Sequence, residues 1–91
     1  EEFKLVARVR LGGVLLDEKN HDEALKVLAG DVPPAHQTAF ADRRGDVLYA
    51  QGKPAEARAA WQQALDKADP QHPLRQLIQL KLDSVPAPAV S

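Results

Sequence analysis

The sequence predicts an all-α solenoid of two helical hairpins followed by a C-terminal capping helix, and three observations predict it. The first is a repeat. LGGVLLDEKNHDEALKVLAG (11–30) laid over RGDVLYAQGKPAEARAAWQQ (44–63) matches Gly12 with Gly45, Leu15 with Leu48, Glu23-Ala24 with Glu56-Ala57 and Leu28 with Trp61, every pair 33 residues apart. A fixed period of that length marks stacked units, each needing a neighbour to bury its apolar face. The second is spacing: apolar residues recur every three or four positions, which draws a helical stripe and not the alternation of a strand. The third is composition. Apolar residues make up 44% of the chain, yet it holds only two Phe, one Tyr and one Trp, which favours closely packed helices over an aromatic-rich sandwich or barrel.

Each element follows in order. The first helix carries Leu5, Val9, Leu11, Val14, Leu15 and Leu16 and ends at DEKN. Asn20 with Glu23 three residues on reads as an N-cap and capping-box partner for a second helix that buries Ala24, Leu25, Val27 and Leu28. Gly30 and Pro33-Pro34 stop that helix. A third helix runs from about Gln37 to Gln51 and ends at Gly52, with Pro54 in the first turn of a fourth. The fourth shows Ala57, Ala60, Trp61, Ala64, Leu65 and Ala68 on one side. Beyond Asp69-Pro70 and Pro73, a fifth amphipathic helix holds Leu74, Leu77, Ile78, Leu80 and Leu82, and PAPAVS is expected to be a loose tail. The domain is thus expected over 1–85, with repeat 1 at about 3–30, repeat 2 at about 37–69, a capping helix at about 73–85 and a tail at 86–91.

Arg44-Gly45-Asp46 spells an adhesion tripeptide, but it runs straight into Val47, Leu48 and Tyr49 with no turn residue before Gly52. Where helix backbones approach below the usual axis separation of roughly 8–10 Å, a Cβ is an obstacle, and glycine is accepted at a cost of about 1 kcal/mol relative to Ala. Gly45 is therefore read as a packing contact inside the third helix.

The 91 residues are enough for one small domain. Twelve basic and thirteen acidic residues, neither sign in a run, argue against a nucleic-acid surface or a polybasic membrane patch. There is no cysteine, hence no disulfide, thiolate nucleophile or Cys-based zinc site. The chain opens on Glu1, which reads as a segment of a longer protein whose targeting or anchoring part lies upstream, and no apolar stretch approaches the roughly 20 residues that span a bilayer. His21, His36 and His72 sit in or beside the expected connections without an i, i+4 partner, so they are read as exposed loop histidines and not as metal ligands. Ser84 and Ser91 lack a nucleophile elbow, and the adjacent pairs Asp17-Glu18 and Asp22-Glu23 lie at helix ends, the second in a first turn, where acids favour the helix dipole. No enzyme, cofactor, metal or small-molecule substrate is expected.

Two hairpins with small residues at fixed places resemble the tetratricopeptide repeat. Gly45, Ala57, Trp61 and Ala64 match four positions of that pattern and Gly12, Ala24 and Leu28 match three, while Asp31 departs from the fourth, so the first repeat is expected to end early. The resemblance implies a concave face lined by the first helix of each unit, here Val6, Val9, Gly13 and Leu16, then Ala39, Asp42, Asp46 and Tyr49. One patch is apolar and the other acidic. The family's carboxylate clamp uses Lys and Asn where this chain has Val9 and Gly13, which disfavours chaperone-tail binding and favours an apolar segment with a nearby basic residue. The stronger reading of Val6, Val9 and Leu16 is core bared by a missing upstream repeat, in which case the segment self-associates through its first helix or exchanges it between copies. Trp61, in the second helix of its unit, is read as core.

The order ARVRLGGVLLDEKNHDEALKVL, ADRRGDVLYAQGKPAEARAAWQQAL, LRQLIQLKLDSV resembles, more narrowly, the C-terminal part of the YfgM family, the ancillary subunit of the bacterial SecYEG translocon. The likeness rests on the RGD helix, GK-x-x-EAR-x-AW and a last helix of the form L-x-x-x-I/M-Q-x-K-L. It implies a single-span anchor upstream, a periplasmic interaction domain beside the translocon, and partners among the translocon, PpiD-like chaperones and secreted chains. The alternative is an assembly scaffold in an envelope or cytosolic complex that handles no client chains.

Overall fold

The computed structural model describes residues 2–85; the expected PAPAVS tail lies outside them. Five helices follow one another: α1 (Glu2–Asp17), α2 (His21–Val27), α3 (Pro34–Ala50), α4 (Pro54–Lys67) and α5 (Arg75–Ser84). Among the described residues there is no strand. α1 packs on α2 and α3 on α4 as the two hairpins, α1 and α2 both touch α3, and α5 closes the far end against α4. No helix is long and apolar enough to cross a membrane, among the described residues.

Both hairpin turns close alike, as the repeat demands. The N–H of Asn20 donates to the Leu15 carbonyl at 2.8 Å and that of Lys19 to Leu16 at 2.9 Å. At the equivalent places Lys53 donates to Leu48 and Gly52 to Tyr49, both at 3.0 Å. This is the Schellman closure of a helix, whose penultimate turn residue sits in the left-handed region. Gly52 occupies that region freely at φ 79°, while Lys19 does so at φ 63° against its own Cβ.

Three expectations change. Asn20 makes no side-chain cap bond to α2, so the capping box does not form. With its backbone committed to closing α1, and φ −95°, ψ 67°, its side chain is not presented to the next helix. α3 starts at Pro34, three residues before the expected Gln37, because Pro33 takes the extended conformation of a cap and Pro34 supplies the first-turn φ. The proline pair that was read as a stop is also a start. In α5, Ile78 and Leu82 are buried, but Leu77 and Leu80 face solvent.

The interior divides in two, and α3 belongs to both parts. Phe40 and Val47 join Ala24 and Leu28 of the first hairpin, with Leu5, Val9, Leu15 and Leu16 packed around them. Ala41 joins Ala57, Trp61, Ala64, Leu65, Ile78, Leu82 and Val85. One glycine lies at each junction. A Cβ on Gly12 would stand 3.0 Å from the Leu28 side chain, and one on Gly45 would stand 2.3 Å from Trp61 Nε1. Gly45 is buried in α3, so the tripeptide is a packing element. α2 has seven residues against the fourteen of α4, and Asp31 falls beyond its end.

Candidate protein-binding face

The helices position the eight proposed face residues unequally. On α1, Val9 and Leu16 pack on the first core and Val6 is exposed, while Gly13 faces the Arg43 guanidinium, 3.4 Å from where a Cβ would be. On α3, Ala39 is half-buried, Asp42 buried, Asp46 half-buried and Tyr49 53% exposed.

The patch expected to be acidic is neutralised from within. Lys81 Nζ on α5 lies 2.8 Å from Asp42 Oδ1 and 2.9 Å from Asp46 Oδ1, and Arg43 Nη1 lies 3.4 Å from Asp46 Oδ2. Burial pushes the Asp42 carboxyl above its usual range, and the hydrogen bond from Lys81 opposes that push. Two acids meet two bases, so this wall offers a basic ligand no free charge. Lys81 also stands 6.0 Å from the Trp61 ring, whose Nε1 donates to the Asp42 carbonyl at 3.2 Å.

What remains open is apolar. A cavity of about 360 Å³ lies between the end of α3 and α5, lined by Asp46, Tyr49, Trp61, Leu80, Lys81, Ser84 and Val85. Tyr49 and Trp61 meet with ring centroids 6.0 Å apart. Leu80, 62% exposed, and Tyr49 are the groove's solvent-facing apolar groups. Sequence reasoning placed Tyr49 and Asp46 here but missed Leu80, Lys81 and Val85. The one available signal was the K of the last-helix motif, which is Lys81.

The histidines lie in or beside the connections as expected but are less exposed than expected. His21 opens α2 and His36 lies in the first turn of α3, both half-buried, and His36 Nε2 is 3.9 Å from Glu2 Oε1. His72 does lie in a connection, yet its Nδ1 accepts the Leu74 N–H at 3.1 Å. Among the described residues no three His, Asp or Glu side chains gather as a metal site.

Stacked helical hairpins with an open groove and an internally compensated polar wall define a repeat-type interaction domain. The sequence model of the tetratricopeptide repeat-like domain matches residues 1–87, and the chain belongs to that family. It is 40% identical over 83 residues to the "Ancillary SecYEG translocon subunit" of Neisseria gonorrhoeae, covering 91% of this chain and 40% of that protein. It is 32% identical over 85 residues to the protein of the same name from Escherichia coli, covering 93% of this chain and 41% of that one. The resemblance to the YfgM family stands on these relatives. The chain spans about two fifths of their length. No solved structure matches it significantly.

Proposed function

We propose that the chain is the interaction module of a periplasmic protein anchored in the bacterial inner membrane, working beside the SecYEG translocon with a PpiD-like chaperone and receiving secreted chains. It performs no chemistry of its own. The observation that carries the reading is the groove between α3 and α5, where Tyr49 and Leu80 offer apolar contact while Lys81 satisfies Asp42 and Asp46. Such a groove takes a short apolar segment and asks little of its charge, which suits a partner meeting many different chains. Support for the setting comes from the relatives' name, which belongs to proteins longer than this chain.

The test is a photo-crosslinking residue at position 49 in the full-length protein in living cells. Recovery of translocon subunits, a periplasmic chaperone or nascent secretory chains is the expected result. Exclusively cytosolic partners, or fixed envelope components alone, would overturn it in favour of a scaffold.

A further inference from the structure

A second cavity, of about 330 Å³, lies away from the Tyr49 groove, where the connection between the hairpins meets α3 and α4. Its polar lining includes Asp31, Gln37, Arg44, Gln63 and Lys67. Arg44 is half-buried, and among the described residues no carboxylate lies within ion-pair distance of it or of Lys67. A guanidinium has five N–H donors in a fixed fork. Here Nη1 reaches only the Leu28 carbonyl at 3.4 Å and Nη2 only Gln63 Oε1 at 3.3 Å. N–H···O hydrogen bonds are normally roughly 2.7–3.2 Å long. Burial lowers the Arg44 pKa.

Every other arginine held against a helix end does better. Arg8 Nη2 reaches Ala29 O at 2.7 Å, and Arg75 Nη1 reaches Ala68 O at 3.1 Å. Arg44 is a cation only loosely satisfied by the protein, beside a second unpaired cation, at an opening large enough for a small group.

We propose that this inter-hairpin pocket is a subsite for a single carboxylate of a docked polypeptide, an acidic side chain or a chain terminus, clamped between Arg44 and Lys67. The fork of Arg44 matches a carboxylate's two oxygens, and the Gln63 amide N–H₂ is a further donor. Asp31 at the same opening cuts the local charge to about one positive unit, which suits a carboxylate better than a phosphate dianion. The inference rests on the interaction reading above but concerns a different surface.

The test is an NMR titration of the 91-residue chain with acetyl-glutamate amide, with sodium chloride and inorganic phosphate as controls. Saturable shifts are expected at Arg44 Nε–Hε, the Gln63 amide and the backbone of residues 30–32, with phosphate binding no tighter. Lys67→Gln, at an exposed position, is expected to weaken binding about tenfold, the loss of one charge-assisted hydrogen bond. Arg44→Lys, which keeps the charge and loses the fork, is expected to weaken it at least as much while the circular dichroism is unchanged. Shifts that follow chloride alone, or equal binding by Lys67→Gln, would overturn the proposal. A failed crosslink at position 49 with an intact titration would sink the translocon reading and leave this site standing.

Discussion

Gly45 and Trp61 meet more closely than any side chain at position 45 would allow, and that contact predicts a graded series of glycine substitutions. Gly45→Ala puts a Cβ 2.3 Å from an indole nitrogen that is buried and bonded to the Asp42 carbonyl, so the ring has no cheap way to move. Overpacking toward the top of its usual range, less the helix preference of Ala, leaves a loss of about 2 kcal/mol, roughly 10 °C in melting temperature for a chain this size. Gly12→Ala meets Leu28 at 3.0 Å and should cost less, since a leucine rotates more readily than a pinned indole. Gly13→Ala meets only the end of Arg43 at 3.4 Å, so it should be neutral or stabilise by up to about 1 kcal/mol. Thermal unfolding of the three variants checks the order, and a Gly45→Ala protein as stable as the parent would refute the contact. Asp42 gives a second residue-scale expectation. Its carboxyl is raised by burial, so the folded protein holds that proton more tightly than the unfolded chain does. Stability from this group is therefore present at low pH and falls as pH rises through the range just above the ordinary carboxylate value. Asp42→Asn should remove that declining component, read as a shallower loss in urea-unfolding free energy between about pH 4 and pH 7.

Helix ends are held by arginines reaching across from other helices. Arg8 of α1 donates to the carbonyls of Val27 and Ala29 at the end of α2 and just past it, Arg75 of α5 to Leu65 and Ala68 at the end of α4, and Arg58 of α4 to Leu82 and Val85 at the end of α5. Leu65 O also accepts the Ala68 N–H at 3.1 Å, but each arginine adds donors at carbonyls of a helix's last turn, where intrahelical partners run out, and places a cation at the negative end of its dipole. None of this was legible in the sequence, because a cap from another helix has no local spacing. The hairpins were legible, since Gly12, Leu28, Gly45 and Trp61 recur at a fixed period and the turns at Lys19 and Gly52 repeat with them. The capping box failed for the opposite reason: Asn20 and Glu23 match a local pattern, but the chain had already used Asn20 to close α1. Lys81 joins α5 to α3 across 39 residues of sequence and ties the capping helix to both acids of α3. Lys81→Ala should leave Asp42 and Asp46 facing each other, costing about 1–3 kcal/mol, less than for a fully buried pair. Hydrogen exchange should locate the effect, with the amides of α5 losing protection before those of α1 and α2. Uniform loss across all five helices would mean that Lys81 is not a specific latch.

For the molecule as a whole, the two faces of the solenoid are unequally finished. The α5 end is closed by Ile78, Leu82 and Val85 over Trp61, whereas α1 keeps an uncovered apolar side. Phe3 is 87% exposed and Val14 50%, and the two lie eleven residues, or about three turns, apart with Val6 between them and Leu11 at the edge. The periodicity of α1 was plain in the sequence, but which side faced the core was not, because Val6, Val9, Val14 and Leu16 are all apolar and only packing against α2 and α3 separates them. Val9 and Leu16 turn inward and cannot line a groove as freely as Val6. An uncovered stripe of this kind finds a partner, and in a solution of the 91-residue chain the partner at hand is a second copy, α1 against α1 about a twofold axis. The chain should therefore dimerise reversibly, and Phe3→Glu with Val14→Glu should return it to monomer without loss of helix, because neither side chain belongs to either core. Sedimentation equilibrium at rising concentration reads this directly: a strict monomer at the highest concentration, or a dimer that survives both substitutions, would show that the α1 face is not where copies meet.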